Sequence, residues 1–458
     1  MSAWDVFTDL GWMGLLILIG VLLRAWVKPI QSLFLPAGLI AGLLGLVFGP
    51  NVLNIIPFSS SIPVYSSILI AVVFAALPFT SKIAGLGNVF RAVRTMWSVS
   101  QAISLLQWGF GLIVSLGILS LIFKDLPDGF GLLLAAGFMG GHGVAAAIAD
   151  GFGSAWPESG SLAMTSATIG IIVSVVGGIA IIKVESMRGN TAYLKDFSDL
   201  PQDLRTGIID EDKRESIGVS PVSSTSLDPI TYHLGLLFMI AAFAYMFTSW
   251  VNGQVEWLSV PTFSVAFLLG YVVLFILKAF KAENVFEGKI FERGSGMSTD
   301  LLVAFGVASI DPKVVASYWQ PLVILLVIGI LFVLAYYVFV SKKLFADHKV
   351  EQGIFTWGWN TGTAGMGMAL LRIVDPDMKS KTLDYYGIAY IPIGFVDIVT
   401  VATLPALVLA GFSWWVALIL TLAGAIIVAL AFRHREPAPT TSMIQSVGVH
   451  GTFDHRAS

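Results

Sequence analysis

Apolar runs long enough to cross a bilayer recur from one end of this chain to the other. Such a run needs about twenty residues. They lie near 10–27, 33–50, 63–80, 98–123, 160–182, 231–250, 258–279, 297–312, 318–340, 385–409 and 412–432. Charged residues make up only 12% of the 458, against roughly 25% in soluble domains. So little charge cannot cover a water-facing surface, and the chain reads as an all-α polytopic membrane protein. That excludes a cytosolic enzyme, a nucleic-acid binder and a secreted disulfide scaffold. The net charge of −3 names no partner. The absence of cysteine removes thiolate metal sites and thiol catalysis.

Basic residues set the expected orientation. Asp5 and Asp9 precede the first apolar run, while Arg24 and Lys28 stand at its far end. A signal peptide has the opposite order, so the run reads as a retained span with the N-terminus outside. Carried through eleven spans, only Lys124 and Lys313 fall outside, leaving 24 of the 26 basic residues inside with the C-terminus.

Two further apolar stretches, 129–149 and 353–374, are crowded with glycine and fit poorly as spans. Non-helical backbone is tolerated at membrane depth only when buried in protein or lining a watery cavity. Both stretches are therefore expected to be re-entrant hairpins, with close helix packing as the plainer alternative. Residues 187–230 are rich in charge and poor in large apolar side chains, as in a solvated cytoplasmic linker. Five spans precede the linker, and an odd number inverts the second half relative to the first. The features then recur in order. Leu35-Pro36-Ala37 opens the second span and Val260-Pro261-Thr262 the seventh; the span after each hairpin carries Ile169-Gly170 or Ile393-Gly394. The expected organisation is two inverted five-span repeats, 1–186 and 231–409, each with a Gly-rich hairpin. An extra span at 410–432 and a cytoplasmic tail at 433–458 complete it. Inverted repeats with broken helices are the usual sign of a secondary transporter.

The hairpins hold most of the chemistry. The first reads Gly140-Gly141-His142-Gly143, whose backbone N–H groups suit a substrate carboxylate. His142 either donates to substrate or relays a proton, or is a structural histidine bonded to a carbonyl. The second reads Asn360-Thr361-Gly362-Thr363. Asn360 and Thr361 offer the neutral oxygens that sodium prefers, unless the hydroxyl back-bonds to its own helix. Gly362 and Thr363 are expected to border the substrate. Arg372 either takes a substrate carboxylate or snorkels and pairs with Asp375 or Asp377. Gln107 is polar in mid-span and faces either the substrate or a neighbouring helix. Asp397 lies mid-span in Ile393-Gly394-Phe395-Val396-Asp397, where an ionisable group is functional by default. It is expected to bind sodium or cycle a proton. Asp300 is a second candidate near the ion, or a plain helix cap.

These motifs resemble the bacterial sodium/glutamate symporter family over roughly residues 10–410. Gly140-Gly141-His142-Gly143 with Ala145-Ala146-Ala147, Leu106-Gln107, Val260-Pro261-Thr262-Phe263, Phe291-Glu292-Arg293 and Phe395-Val396-Asp397-Ile398 carry the likeness. The resemblance implies two inverted repeats whose hairpin tips meet at the substrate. It further implies sodium as coupling ion, glutamate uptake, an elevator-like core against a dimerising scaffold, and a bacterial inner membrane. The chain departs at Trp359-Asn360-Thr361-Gly362, where glutamate carriers have a Gly-His-Cys-Gly type of sequence. Asp300, Arg372 and the eleventh span are additions. Another anionic amino acid, or a proton- or sodium-coupled di- or hydroxycarboxylate, is the alternative cargo. An intramembrane enzyme fits poorly, because no H-E-x-x-H or G-x-S-x-G accompanies His142 in the spans.

Overall fold

The computed structural model describes residues 2–32, 35–80, 93–193, 206–211, 214, 216–223, 225–254, 260–346, 348–376 and 378–434. Nearly all of the tail and part of the linker, including 194–205, lie outside the described residues. The described residues form helices and no strand. Seven principal helices precede the linker: α1 (Ala3–Trp26), α2 (Ala37–Phe48), α3 (Ile62–Thr80), α4 (Arg94–Val114), α5 (Leu132–Gly137), α6 (Gly141–Phe152) and α7 (Ser159–Met187). Seven come after it in a matching order, except that α9 is longer than α2: α8 (Pro229–Gln254), α9 (Thr262–Ala279), α10 (Gly288–Ala308), α11 (Pro312–Tyr336), α12 (Lys349–Thr361), α13 (Ala364–Val374) and α14 (Thr382–Leu409). The last helix, α15 (Ser413–Arg433), has no counterpart.

Local sequence explains many of the boundaries. Ser2 and Asp5 form a reciprocal capping box at α1. Prolines 36 and 261 precede α2 and α9, the two positions matched in the sequence. Asp311 caps α11 through the N–H of Lys313, with Pro312 at the first helical position. Helices α4 and α11 each run on into a single π turn, Ser115–Leu119 and Tyr337–Ser341. That shared irregularity sits at the same point before each glycine-rich stretch. Such turns are rare and concentrate at functional sites.

Packing divides the helices into two bundles. Helices α1–α3 and α8–α10 form one bundle with two separate apolar clusters; Tyr65 meets Phe305 at 4.8 Å in one, and Phe79 stacks on Phe291 at 4.7 Å in the other. Helices α4–α7 and α11–α15 form the other, around Trp108, Phe130, Phe138 and Phe355, and its core reaches Ile70, Phe74, Phe263 and Leu302 of the first. Each bundle draws on both halves of the chain. Helices α3, α9 and α10 of the first meet α6, α7 and α14 of the second.

Nine helices are long and apolar enough to cross a membrane among the described residues, where the sequence reading has eleven spans. Helix α2 has twelve residues and reaches only about 18 Å. Helix α10 is long enough but carries Lys289, Glu292, Arg293 and Asp300. It starts at Gly288, not near 297, because polar first turns hide an amphipathic helix that buries Phe291 and Gly294. Asp300 is consequently mid-helix and caps nothing; Glu287 is the cap.

Candidate functional site at the paired helix breaks

Both glycine-rich stretches are helix–break–helix hairpins. Helix α5 stops at Gly137, and α6 starts at Gly141, whose φ is +59°. Only glycine adopts that conformation without strain. A Cβ on Gly141 would lie 2.6 Å from Cγ2 of Thr363 and 3.2 Å from the carbonyl oxygen of Gly362. The two breaks therefore touch. Helix α12 ends at Thr361, and Thr363 caps α13 by accepting the N–H of Met366 at 3.4 Å.

Gly170 of α7 sits between the ends of both incoming half-helices. A Cβ there would be 2.7 Å from the Thr361 carbonyl oxygen and 3.0 Å from that of Gly137. Helix C-termini carry partial negative charge and N-termini partial positive charge. The carbonyl ends of α5 and α12 thus converge beside the amide ends of α6 and α13. One small region offers acceptors to a cation and donors to an anion.

The side chains complete this arrangement. Gln107 of α4 is fully buried and donates through Nε2 to the Asn360 carbonyl oxygen at 2.8 Å. Its Oε1 has no partner, and neither has Oδ1 of Asn360; both atoms are sealed from solvent. One turn back on α4, Ser104 donates to Oδ1 of Asp397 at 2.5 Å. A chain of polar contacts so links α14, α4 and α12. Tyr386, Tyr390 and Trp359 pack beside it, with ring centroids 5.3 to 6.5 Å apart. Among the described residues no three His, Asp or Glu side chains gather to hold a metal. The buried acceptors are neutral amide and carbonyl oxygens with one carboxylate nearby, a donor set for a hard monovalent ion.

His142 is 2% exposed, and its Nε2 lies 3.1 Å from Oγ1 of Thr168. That hydroxyl already donates to the Met164 carbonyl oxygen at 2.9 Å. It can only accept from His142, which puts the ring proton on Nε2. The other nitrogen, Nδ1, is then a lone-pair acceptor, buried and without a partner. His142 in this tautomer accepts a hydrogen bond at its free nitrogen.

The structure brings Gly140, Gly141, His142, Gly143, Gly362, Thr363, Gln107, Asn360 and Thr361 to the breaks, with Asp397 linked through Ser104. The Thr361 hydroxyl donates to its own helix at Trp357, 2.8 Å away, so only its oxygen lone pairs are left for a ligand. Two expected residues lie elsewhere. Arg372 is exposed near the far end of α13, about 13 Å along the helix from Thr363. Asp300 is exposed on α10 of the other bundle, in an open groove of about 470 Å³ with Glu292, Arg293 and Ile17. Sequence reasoning missed Ser104 and Thr168, which orient Asp397 and His142. It also missed Asp150 of α6, which Ser67 of α3 contacts and to which the Thr262 N–H at the start of α9 donates. Asp150 thereby bridges the two bundles.

Residues 3–359 match the protein family described as sodium/glutamate symporter. The chain belongs to that family. It is a multi-pass membrane transporter. No curated protein matches the chain. The family match ends at Trp359, short of the 410 suggested by the motifs. Asn360, the second break and helices α13–α15 of this transporter lie beyond it.

Proposed function

We propose that this transporter couples sodium to the uptake of glutamate or a related anionic amino acid at the paired breaks. The observation carrying this reading is the meeting of two half-helix carbonyl ends and two half-helix amide ends around Gly170. Amide ends of α6 and α13 receive the substrate carboxylate, with Gly140, Gly141, Gly143, Gly362 and Thr363 leaving the backbone open to it. The acceptor nitrogen of His142 takes the substrate ammonium. Oδ1 of Asn360, Oε1 of Gln107, the Thr361 oxygens and Asp397 surround sodium. This moves Gln107 from the substrate to the ion. Bound sodium fixes the second break against α4, so the substrate meets a completed site only after the ion arrives.

The seven-and-seven order of helices supports two inverted repeats with re-entrant hairpins, the N-terminus outside and the C-terminus inside a bacterial inner membrane. The bundle carrying both breaks is then the moving core, and α1–α3 with α8–α10 the scaffold of a homodimer. Arg372 and Asp300 lie outside this site and keep no part in it.

A second reading, a proton- or sodium-coupled di- or hydroxycarboxylate carrier, draws on the end of the family match just before the second break. The orphan acceptor of His142 suits an ammonium or the hydroxyl of a hydroxycarboxylate and disfavours only a plain dicarboxylate, which brings no donor to it. Thermal unfolding of the purified protein separates the two. A ligand at a hundred times its dissociation constant adds about 2.7 kcal/mol of stability. Stabilisation by glutamate or aspartate in sodium, lost when potassium replaces it, is expected. Stabilisation by citrate or malate alone, or without regard to sodium, would overturn the reading.

A further inference from the structure

Three more buried, unsatisfied oxygens lie away from the breaks, on the first turn of α12 and on the π turn that packs against α12. Glu351, in the first turn of α12, is 1% exposed. Its Oε1 accepts the backbone N–H of Ala192, just past α7, at 2.8 Å. Its Oε2 is sealed from solvent without a partner. Two residues of the π turn that ends α11, Tyr337 and Ser341, are 3% and 1% exposed. Their hydroxyl oxygens are likewise sealed and unpartnered. The Tyr337 ring packs where a Cβ on Gly353 of α12 would meet it at 2.8 Å. Its phenol lies within electrostatic reach of both Glu351 and Glu185.

Charge balance distinguishes the two glutamates. Glu185 of α7 is paired with Lys342 at 2.6 Å, takes a further bond from Asn190 at 2.7 Å, and feels Arg188. Glu351 has one backbone amide and the N-terminal end of its own helix. A buried carboxylate so weakly compensated is costly. A trapped water would satisfy the three oxygens but leave the charge. A small cation does both, and carboxylate, phenol and hydroxyl are the oxygen donors that hard cations select.

We infer that Glu351, Tyr337 and Ser341 form a second sodium site, at the base of the second hairpin. Sodium as the occupant rests on the proposed coupling; the weak compensation of the Glu351 charge does not. An ion held there ties the start of α12 to the π turn of α11 and to the first residues of the linker. It would set the hairpin that carries Asn360 before any substrate arrives.

The test is equilibrium binding of radioactive sodium to the purified full-length protein without amino acids, at constant ionic strength in choline chloride. Glu351→Gln is expected to bind one sodium fewer per chain than the parent while keeping the ion lost in Asp397→Asn. Tyr337→Phe removes one oxygen and is expected to weaken the same ion about tenfold. It also serves if the glutamate variant does not fold. Unchanged sodium binding in a folded Glu351→Gln and in Tyr337→Phe would overturn the proposal, leaving a proton or water at Glu351. Loss of an ion in Glu351→Gln but none in Asp397→Asn would keep this site and remove the one at the breaks.

Discussion

Asp397 is half-buried on α14 and held by a single hydroxyl, Ser104, from the helix that also carries Gln107. That geometry leaves the carboxylate one oxygen free to meet an ion. Asp397→Asn is expected to fold, keep its detergent-solubilised elution profile and lose sodium-driven uptake. Retained sodium-dependent uptake would remove Asp397 from the mechanism. Gly141 tests the contact between breaks. Alanine there meets both the positive φ and the Thr363 methyl group, a combination worth roughly 1–3 kcal/mol. Gly143, two residues on, has only Ile70 at 3.6 Å. The melting temperature should fall clearly for Gly141→Ala and change little for Gly143→Ala; equal shifts would contradict the touching breaks. Asp397, His142 and the glycines were legible because each breaks a rule for a membrane span. Ser104 and Thr168 were not, since a serine or threonine in a helix normally satisfies itself on its own backbone. Ser104 acquires its role from a partner 293 positions away.

At the level of elements, Gly170 separates the carbonyl ends of α5 and α12. A methyl group there lies within 3.0 Å of both oxygens, and overpacking of this kind costs about 1–3 kcal/mol. Gly170→Ala is expected to weaken apparent sodium affinity more than its fall in melting temperature would imply. An unchanged sodium dependence of uptake would separate Gly170 from the ion. The hairpins were readable from clustered glycine, because unbroken helices gain nothing from so many. Helix α10 was misread by about nine residues at its start, because its polar first turns carry no run of apolar residues. Hydropathy likewise makes α2 resemble a full span, since Pro36 and the flanking apolar residues lengthen the run without lengthening the helix. Arg372 and Asp300 looked functional for being charged in apolar surroundings. Hydropathy does not say which face of a helix a residue is on, and both are exposed.

Across the whole molecule, the interleaving of two bundles from both halves of the chain is what makes relative motion conceivable. The bundles meet at Ser67 and Asp150, where a half-buried carboxylate also takes the first N–H of α9. If the bundle with the breaks moves against the other, this junction has to part. The chain has no native cysteine, so Ser67→Cys with Asp150→Cys offers an unambiguous lock. Oxidation is expected to stop uptake and reduction to restore it; full uptake in the cross-linked protein would show that the bundles need not separate there. Helix α15 belongs to the bundle carrying the breaks. Gly109 of α4 leaves room for Thr421, and a Cβ on Gly424 would lie 2.9 Å from the Ala102 carbonyl oxygen. The repeat order was visible in sequence because its landmarks recur. The division into bundles was not, because it depends on which helices pair across the linker.

The central claim is that sodium and an anionic amino acid meet at the paired breaks and cross together. Uptake of radioactive glutamate into proteoliposomes, with an inward sodium gradient or with potassium in its place, tests it most directly. Accumulation above equilibrium that needs the sodium gradient, and that vanishes in Asp397→Asn, is the predicted result. Equal accumulation without sodium, or accumulation driven by a proton gradient alone, would contradict it.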